Sequence, residues 1–187
     1  MQSFITYINQ RIQLSSTEEK ALTSVLETVE LPKYHILIKE GLPANHIHFI
    51  QSGAARSFYY HNGKDITSWM YREDRLVTAW SSFFTREPAQ ETIELLENST
   101  IGSISYDNLQ QLYQDYPKIN AFGRLFVEEQ IVFIDQFYKG FYFMTAKEKY
   151  ALLLAYFPDI LQRVNLGHIA SFLGISQETL SRIRAKK

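Results

Sequence analysis

The most constraining feature of this sequence is a change of pattern near Pro117. From residue 35 to about residue 104, short runs rich in β-branched and aromatic residues alternate with turn-forming residues. After Pro117, the stretch KINAFGRLFVEEQIVFIDQFYKGFYF contains no proline and no cluster of turn residues. The first pattern is typical of a β-sandwich or barrel, and the second of one long helix. The sequence therefore predicts an α+β protein in which a closed or layered sheet precedes a long helix.

The sheet region contains several strand-like runs with clear turns between them. The runs are HILIK, IHFIQ, ARSFYY, ITSWMY, TIELLEN and TIGSIS. Between two of them, Asn62-Gly63 favours a tight hairpin, because both residues tolerate positive φ. Residues 1–30, by contrast, show apolar residues at helical spacing and predict a helix that begins at Thr17 and ends at Leu31-Pro32.

The long helix is apolar on more than one side. One face carries Ile119, Phe122, Phe126, Phe133 and Phe137. Leu125, Val132 and Ile134 widen this surface beyond a single stripe, so the helix must be covered on more than one side. Two interpretations fit this pattern: a central core helix, or a helix packed both on the β domain and on a partner subunit.

The last part of the chain predicts further helices with well-marked ends. Thr145 and Glu148 form a capping box of the Ser/Thr-x-x-Glu type. Two short helices are predicted at about 166–173 and 177–187. Between them, Gly174 can adopt the positive φ that ends a helix, and Ser176 can cap the next one.

The second short helix separates an apolar face from a polar one. Leu180 and Ile183 face inward, whereas the opposite side carries Gln177, Glu178, Ser181, Arg182 and Ala185. Long hydrogen-bonding side chains with small residues between them suit a helix that reads the major groove of DNA, and the terminal Arg184, Lys186 and Lys187 suit phosphate contacts. The alternative is an ordinary helical hairpin whose exposed face carries a Glu178–Arg182 ion pair.

Composition excludes several classes of function. There are 19 basic and 20 acidic residues, so the net charge is −1 and no global basic field marks a nucleic-acid binder. The absence of cysteine excludes disulfides, thiolate zinc sites and cysteine-ligated iron–sulfur clusters. The sequence contains no apolar run of membrane-spanning length and no signal-peptide pattern, so we expect a cytoplasmic protein without a membrane partner.

The stretch HIASFLGISQETLSRIRAKK resembles the helix-turn-helix of the Crp/Fnr family of bacterial transcription regulators. The resemblance covers nearly the whole chain. It implies a β-roll sensor domain like a cyclic-nucleotide-binding domain at 1–116, a dimerisation helix at 117–143 and a helix-turn-helix DNA-binding domain at 144–187. It further implies a homodimer, no enzymatic activity, and near-palindromic double-stranded DNA and RNA polymerase as partners.

The resemblance also assigns roles to residues of the terminal motif. Gln177, Glu178 and Arg182 would read bases. Ser176 and Thr179 would support the helix start and contact the DNA backbone, and His168 would lie near a phosphate. Ser181 and Lys186 complete the expected DNA-binding set. Since the sequence ends after Lys187, the β-hairpin wing usual in the larger family is expected to be missing or minimal.

The resemblance fails at the family's phosphate-binding cassette, which uses a Gly-Glu pair and an arginine. Here Val77-Thr78 stands near the first position and Ala89-Gln90-Glu91 near the second. A buried phosphate without its arginine is an unpaired charge, so cyclic AMP is not expected as the ligand and no cofactor is evident. The pocket holds another, unknown effector or is filled by side chains. The candidate residues are Thr78, Trp80, Ser81, Ser82, Arg86, Gln90 and Glu91.

Other chemistry has little support in the sequence. His46 and His48 alternate and share a strand face, but no third metal ligand is identifiable, so we expect a structural pair and no metal site. Two rival functions remain: a small-molecule sensor whose helical tail does not bind DNA, and an enzyme on a cupin-like barrel. The second would require a cluster of histidines and carboxylates inside the barrel.

Overall fold

The structure is a computed structural model, and it describes residues 2–185. It begins with helices α1 (Gln2–Asn9) and α2 (Ser16–Val25). The cap of α2 is Ser15, whose side chain accepts from the Glu18 N–H while Glu18 accepts from the Ser15 N–H. Thr17 was therefore the wrong start for this helix. Lys186 and Lys187, which were expected to contact phosphates, lie outside the described residues.

Eight strands follow in two four-stranded antiparallel sheets. They are β1 (Glu27–Leu31), β2 (Ile36–Ile38), β3 (His46–Ser52), β4 (Ala55–His61), β5 (Lys64–Tyr71), β6 (Arg75–Val77), β7 (Thr92–Leu95) and β8 (Ser99–Ser105). One sheet has the order β1-β8-β3-β6 and the other β2-β7-β4-β5. The predicted strand runs are confirmed, as is the hairpin at Asn62 (φ 50°) and Gly63 (φ 73°).

The strand β1 corrects the prediction that the first helical region continues to Leu31. Residues 27–31 pair with residues 99–103 of β8 along their whole length. Val29, which fitted the apolar face of a helix, is instead exposed. Pairing with an open strand edge supplies a backbone hydrogen-bond partner that local helical spacing cannot reveal.

Two short helices that the sequence did not predict complete the β-roll. Helix α3 (Trp80–Thr85) connects β6 to β7, and α4 (Tyr106–Asp115) follows β8. The interior is one apolar cluster that draws on α1, α2, both sheets and these two helices. Burial alternates along β7, whereas β3 and β4 each bury four consecutive residues, so these two central strands are covered on both faces.

Helix α5 (Pro117–Phe143) covers the range predicted for the long helix. Its first half closes the β-roll through three buried side chains: Ile119, Phe122 and Phe126. Further along the same face, Phe133 and Phe137 contact the ring of Trp69 in β5. A second side of α5 remains exposed and apolar in the described chain.

The remaining helices are α6 (Ala146–Tyr156), α7 (Ile160–Arg163), α8 (Leu166–Leu173) and α9 (Gln177–Ala185). The capping box of Thr145 and Glu148 is formed, and Gly174 ends α8 with φ 69°. These local predictions are confirmed. The division into three domains stays a prediction. Within residues 2–185, no helix is both long and apolar enough to cross a membrane.

The glycine between β3 and β4 provides a test of the fold. Gly53 has φ +108°, and an added Cβ would overlap Ser99 Oγ and lie 2.9 Å from Ser99 Cα. We expect Gly53→Ala to lower the free energy of unfolding by about 2–3 kcal/mol, because strain and overlap add. Gly41→Ala is the matched control, with φ +82° and no atom within 4 Å of the added Cβ. Urea denaturation that gives equal losses for both variants would contradict the role of the Ser99 contact.

Candidate functional site

The candidate recognition surface is the exposed side of α9. Leu180 is fully buried in the core of the C-terminal helices, together with Ile169, Ala170 and Leu173 of α8. Ser176 immediately precedes α9, and its hydroxyl accepts from the Thr179 N–H at 3.2 Å. The predicted base-reading residues Gln177, Glu178 and Arg182 are all exposed, as is the neighbouring Ser181. The inner face of α9 thus supplies its contacts with the core, and its outer face remains exposed to solvent.

Charges on this surface are available to a ligand. Hydrogen bonding by Ser176 lowers the pKa of Glu178, so its carboxylate is ionised near neutral pH. The Glu178–Arg182 pair considered from the sequence is not among the ion pairs that the described residues form within 4.0 Å. Glu178 and Arg182 still interact electrostatically, but no N···O contact within 4.0 Å fixes Arg182 to Glu178.

The two helices of the motif meet closely at Gly167, which was not among the residues predicted for the site. An added Cβ at Gly167 would lie 2.7 Å from Nε2 of Gln177. Asn165 caps α8 and accepts from the Gly167 N–H at 2.7 Å. The small residue at 167 therefore allows the Gln177 side chain to lie across the start of α8. A glycine in the first turn of an otherwise apolar helix was the available signal.

His168 belongs to α8 and is not part of the exposed face of α9. It is half-buried close to Arg56, Asp65 and Glu94 of the β-roll, and burial together with the Arg56 charge lowers its pKa. Arg56 itself is buried and donates to Glu94 at 2.7 Å and to Thr67 at 2.9 Å. The predicted phosphate contact of His168 stays a prediction, and its imidazole is neutral near pH 7.

Helix α8 is attached directly to the β-roll. Strand β5 is at the edge of its sheet, so one row of its backbone groups lacks a strand partner. The Ser171 hydroxyl accepts from the Thr67 N–H at 3.0 Å and donates to the Asp65 carbonyl at 3.3 Å. The first helix of the motif thereby replaces a neighbouring strand at this edge.

Arg163 in α7 forms a second attachment through two turns of the β-roll. Its Nη2 lies 2.6 Å from a carboxylate oxygen of Glu73, and its Nε lies 3.1 Å from Glu97. Asp159 contacts the same guanidinium at 3.1 Å. Burial raises the pKa of Glu73, but hydrogen bonds from Arg163 and the Gly53 N–H outweigh it, and the net pKa is lowered. Through Arg163, this cluster joins α7 to residues 66 and 90 positions earlier in the chain.

Trp69 is the aromatic centre of the same junction. Its ring centroid lies 4.8 Å from that of Phe137 and 5.7 Å from that of Phe133 in α5. It also lies 5.7 Å from Phe172 in α8 and 6.3 Å from Tyr156 in α6. All four contacts are edge-to-face, a favoured geometry for aromatic pairs. One side chain of β5 thus contacts the long helix and two helices of the C-terminal region.

The predicted effector residues are mostly engaged in internal contacts. Thr78 donates to the His46 carbonyl at 2.9 Å, and Ser82 accepts from the Ala44 N–H at 2.9 Å. Arg86 adopts φ 64°, donates to the Ala44 carbonyl at 2.9 Å and lies over the Tyr106 ring. Its guanidinium is therefore committed to the loop before β3.

The remaining effector candidates differ in their surroundings. Ser81 and Gln90 are exposed. Glu91 is half-buried beside Ser68, with 3.5 Å between the hydroxyl and a carboxylate oxygen, and burial raises its pKa. No cationic group of the described chain offsets this rise. A carboxylate therefore stands in the segment where a phosphate ligand would require an arginine.

An apolar cavity of about 40 Å³ lies between the core of the β-roll and α5, and its wall includes Trp80, Phe84, Phe126 and Val127. Ligand pockets for small molecules measure about 300–1,000 Å³, so this space is too small for a nucleotide.

His46 and His48 stack with ring centroids 6.0 Å apart, and Nδ1 of His48 lies 2.8 Å from the Ser103 hydroxyl. Burial lowers the pKa of His48 to about 3. Within the described residues, no three histidine or acidic side chains group as a metal site.

Comparison with known proteins agrees with this architecture. Residues 28–116 match the family model of the cyclic nucleotide-binding domain. A structure from Eubacterium rectale, assigned to the crp/fnr family of transcriptional regulators, superposes with a TM-score of 0.71 at 15% identity, covering 95% of this chain and 85% of that one. No curated protein sequence matches the chain.

Two further solved structures share the same fold. The c-di-GMP-responsive global regulator CLP of Xanthomonas campestris superposes with a TM-score of 0.68 at 15% identity, over 92% of this chain and 91% of that one. The Thermus thermophilus catabolite activator protein gives 0.60 at 16% identity, over 96% and 85%. At such identities the likeness establishes the fold, and the predicted β-roll with a long helix and C-terminal helices is confirmed.

The Arg163 cluster provides a test of how the helical region is attached. We expect Arg163→Gln to lower the free energy of unfolding by about 1.5–3 kcal/mol, because it removes charged hydrogen bonds to Glu73 and Glu97. Lys139→Gln is the control, since it removes an exposed pair with Asp135 on one helix, and its change should stay within about 0.5 kcal/mol. Equal effects of the two variants in urea denaturation would show that the cluster adds no stability.

Proposed function

We propose that this chain, which has the fold of the Crp/Fnr transcription regulators, is a homodimeric, sequence-specific DNA-binding regulator. The observation that carries the proposal is the surface of α9. Its inner face is buried through Leu180, while Gln177, Glu178 and Arg182 are exposed. Side chains of this kind form hydrogen bonds with base edges in the major groove.

The dimer is supported by a second apolar stripe on α5. Val127, Ile131, Ile134 and Tyr138 are exposed and follow one another at intervals of four, three and four residues. This spacing is that of a coiled-coil seam. The i,i+4 pairs Arg124–Glu128 and Asp135–Lys139 border it, as charged residues commonly border such seams. The stripe lies on a different side of the helix from the face that contacts Trp69.

A two-fold dimer through this seam would present two copies of α9. Symmetric regulators of this type bind half-sites about 34 Å apart, in successive major grooves, so the proposed operator is near-palindromic. Because the net charge is −1, the proposed affinity for DNA has to come from the local contacts of α9. We further propose that cyclic AMP is not the effector, because no cationic group offsets the Glu91 carboxylate and Arg86 is engaged elsewhere.

The DNA-reading prediction concerns Arg182. A guanidinium can bind guanine O6 and N7 together, a contact worth about 1–3 kcal/mol of discrimination. We expect Arg182→Ala to relax the preference at one base pair in each half-site, measured by binding-site selection from random DNA. Arg184→Ala on the same helix is the control and should weaken all sequences alike, as should Lys186→Ala, because phosphate contacts carry no base information. An even loss of affinity with Arg182→Ala would make it a backbone contact, and no DNA binding by the wild type would favour a sensor protein instead.

The dimer prediction compares two neighbouring residues of α5. Ile131 and Val132 are similarly exposed, at 61% and 55%, but only Ile131 belongs to the stripe. We expect the wild type to sediment as a dimer at micromolar concentration, Ile131→Glu to sediment as a monomer, and Val132→Glu to remain a dimer. A monomeric wild type, or equal effects of the two variants, would contradict the proposed seam.

The effector prediction concerns cyclic AMP. Since an anionic phosphate would have no arginine partner and would lie near the Glu91 carboxylate, we expect no binding in calorimetry at micromolar protein concentration. A dissociation constant in the low micromolar range would contradict this. Arg86→Gln would then be the first variant to measure, since Arg86 is the nearest arginine in sequence to the predicted pocket positions.

A further inference from the structure

Helix α3 presents an aromatic surface that the β-roll does not cover. Phe84 is 51% exposed, although it is one of the largest apolar side chains of the protein. Its ring stacks on Trp80 at 6.1 Å, and Trp80 in turn lies 5.4 Å from the ring of Phe126 in α5. An exposed apolar surface of this kind commonly marks an interaction site.

This aromatic surface is continuous with the exposed stripe of α5. Trp80 and Phe84 share the wall of the 40 Å³ cavity with Val127, which is the first residue of the stripe. The lining of the cavity is mostly apolar. Phe84, Val127 and Ile131 therefore form one surface that extends from the β-roll onto the long helix.

We propose that the Trp80–Phe84 surface of α3 is part of the subunit interface and receives an apolar side chain from α5 of a second copy of this chain. The proposal rests on the proposed dimer and adds a second element to it. A two-fold interface uses the same patch on both subunits, so each α3 borders the partner's helix. Packed helices lie about 8–10 Å apart, which brings a side chain of the partner's helix within reach of a residue that flanks Val127.

The two sides of the stripe on α5 differ in polarity, and this difference favours a helix of a second copy as the partner that covers the aromatic surface. On one side the stripe is bordered by the Arg124–Glu128 and Asp135–Lys139 pairs, which suit the polar margin of a helix–helix contact. On the other side, next to Val127, it is bordered by the aromatic surface. A helix seated on the stripe would cover both the seam and Phe84, and its own stripe would meet the same surface in return.

The segment between β6 and β7 has a different role in this proposal from the one expected from the sequence. From the sequence, Trp80 was expected to line an effector pocket. In the structure Trp80 contacts Phe84 and Phe126, at the edge of α5 rather than in a cavity large enough for a ligand. The assigned role of α3 is to extend the contact between subunits beyond a simple pair of helices.

The first experiment measures the dimer dissociation constant of the full chain by sedimentation equilibrium. We expect Phe84→Ala to raise this constant at least about tenfold, in the range typical of an interface anchor. Tyr34→Ala is the matched control, because Tyr34 is 63% exposed in the turn between β1 and β2, and it should leave the constant unchanged. A dimeric wild type whose constant is unaffected by Phe84→Ala would overturn this proposal while leaving the seam intact. A monomeric wild type would overturn both.

The second experiment keeps the proposal testable should Phe84→Ala fold poorly. A benzoylphenylalanine crosslinker at position 84 preserves the aromatic ring. We expect irradiation to yield a covalent dimer whose crosslinked peptide lies within α5 around residues 124–134, whereas the same group at position 34 should yield none. Crosslinks from position 84 that map elsewhere, or an absence of crosslinked dimer from a dimeric protein, would overturn the assignment.

Discussion

The arrangement of this protein depends on the packing of one partly buried side chain, Trp69. One indole on strand β5 touches Phe133 and Phe137 of α5, Tyr156 of α6 and Phe172 of α8. Aromatic side chains remove a large apolar area from water, and such burial is the main favourable term in packing. Because the contacts come from three helices, the position of each helix is defined relative to the same strand.

Directional interactions around this centre determine how the helical region is oriented. The apolar cluster that joins Ala54, Met70 and Leu96 to the C-terminal helices supplies free energy but little orientation. Ser171 at the edge of β5 and Arg163 between Glu73 and Glu97 supply the orientation, because hydrogen bonds weaken steeply when misaligned. The helix that carries the proposed DNA-reading face therefore has a definite position on its own β-roll.

The long helix lies between two different surfaces. One face contacts Trp69 and the C-terminal helices, and another carries the Val127–Tyr138 stripe together with the neighbouring aromatic surface of α3. In the proposed regulator, no nucleotide in the β-roll is needed to connect the β-roll to the C-terminal helices, since the β-roll and helix α8 both contact α5. Any effector that moves α3 or β5 would act on the same helix, by favouring one of its arrangements over another.

The sequence by itself determined the features that depend on near neighbours. The caps at Thr145 and Ser176, the turn at Gly174 and the exposed face of α9 follow from residues within one or two helical turns of each other. Only the tertiary structure decided that residues 27–31 form a strand, that Arg163 pairs with Glu73, and that Trp69 joins three helices. Their partners lie from tens to about a hundred positions away, and a local pattern carries no information about which distant group will arrive to satisfy it.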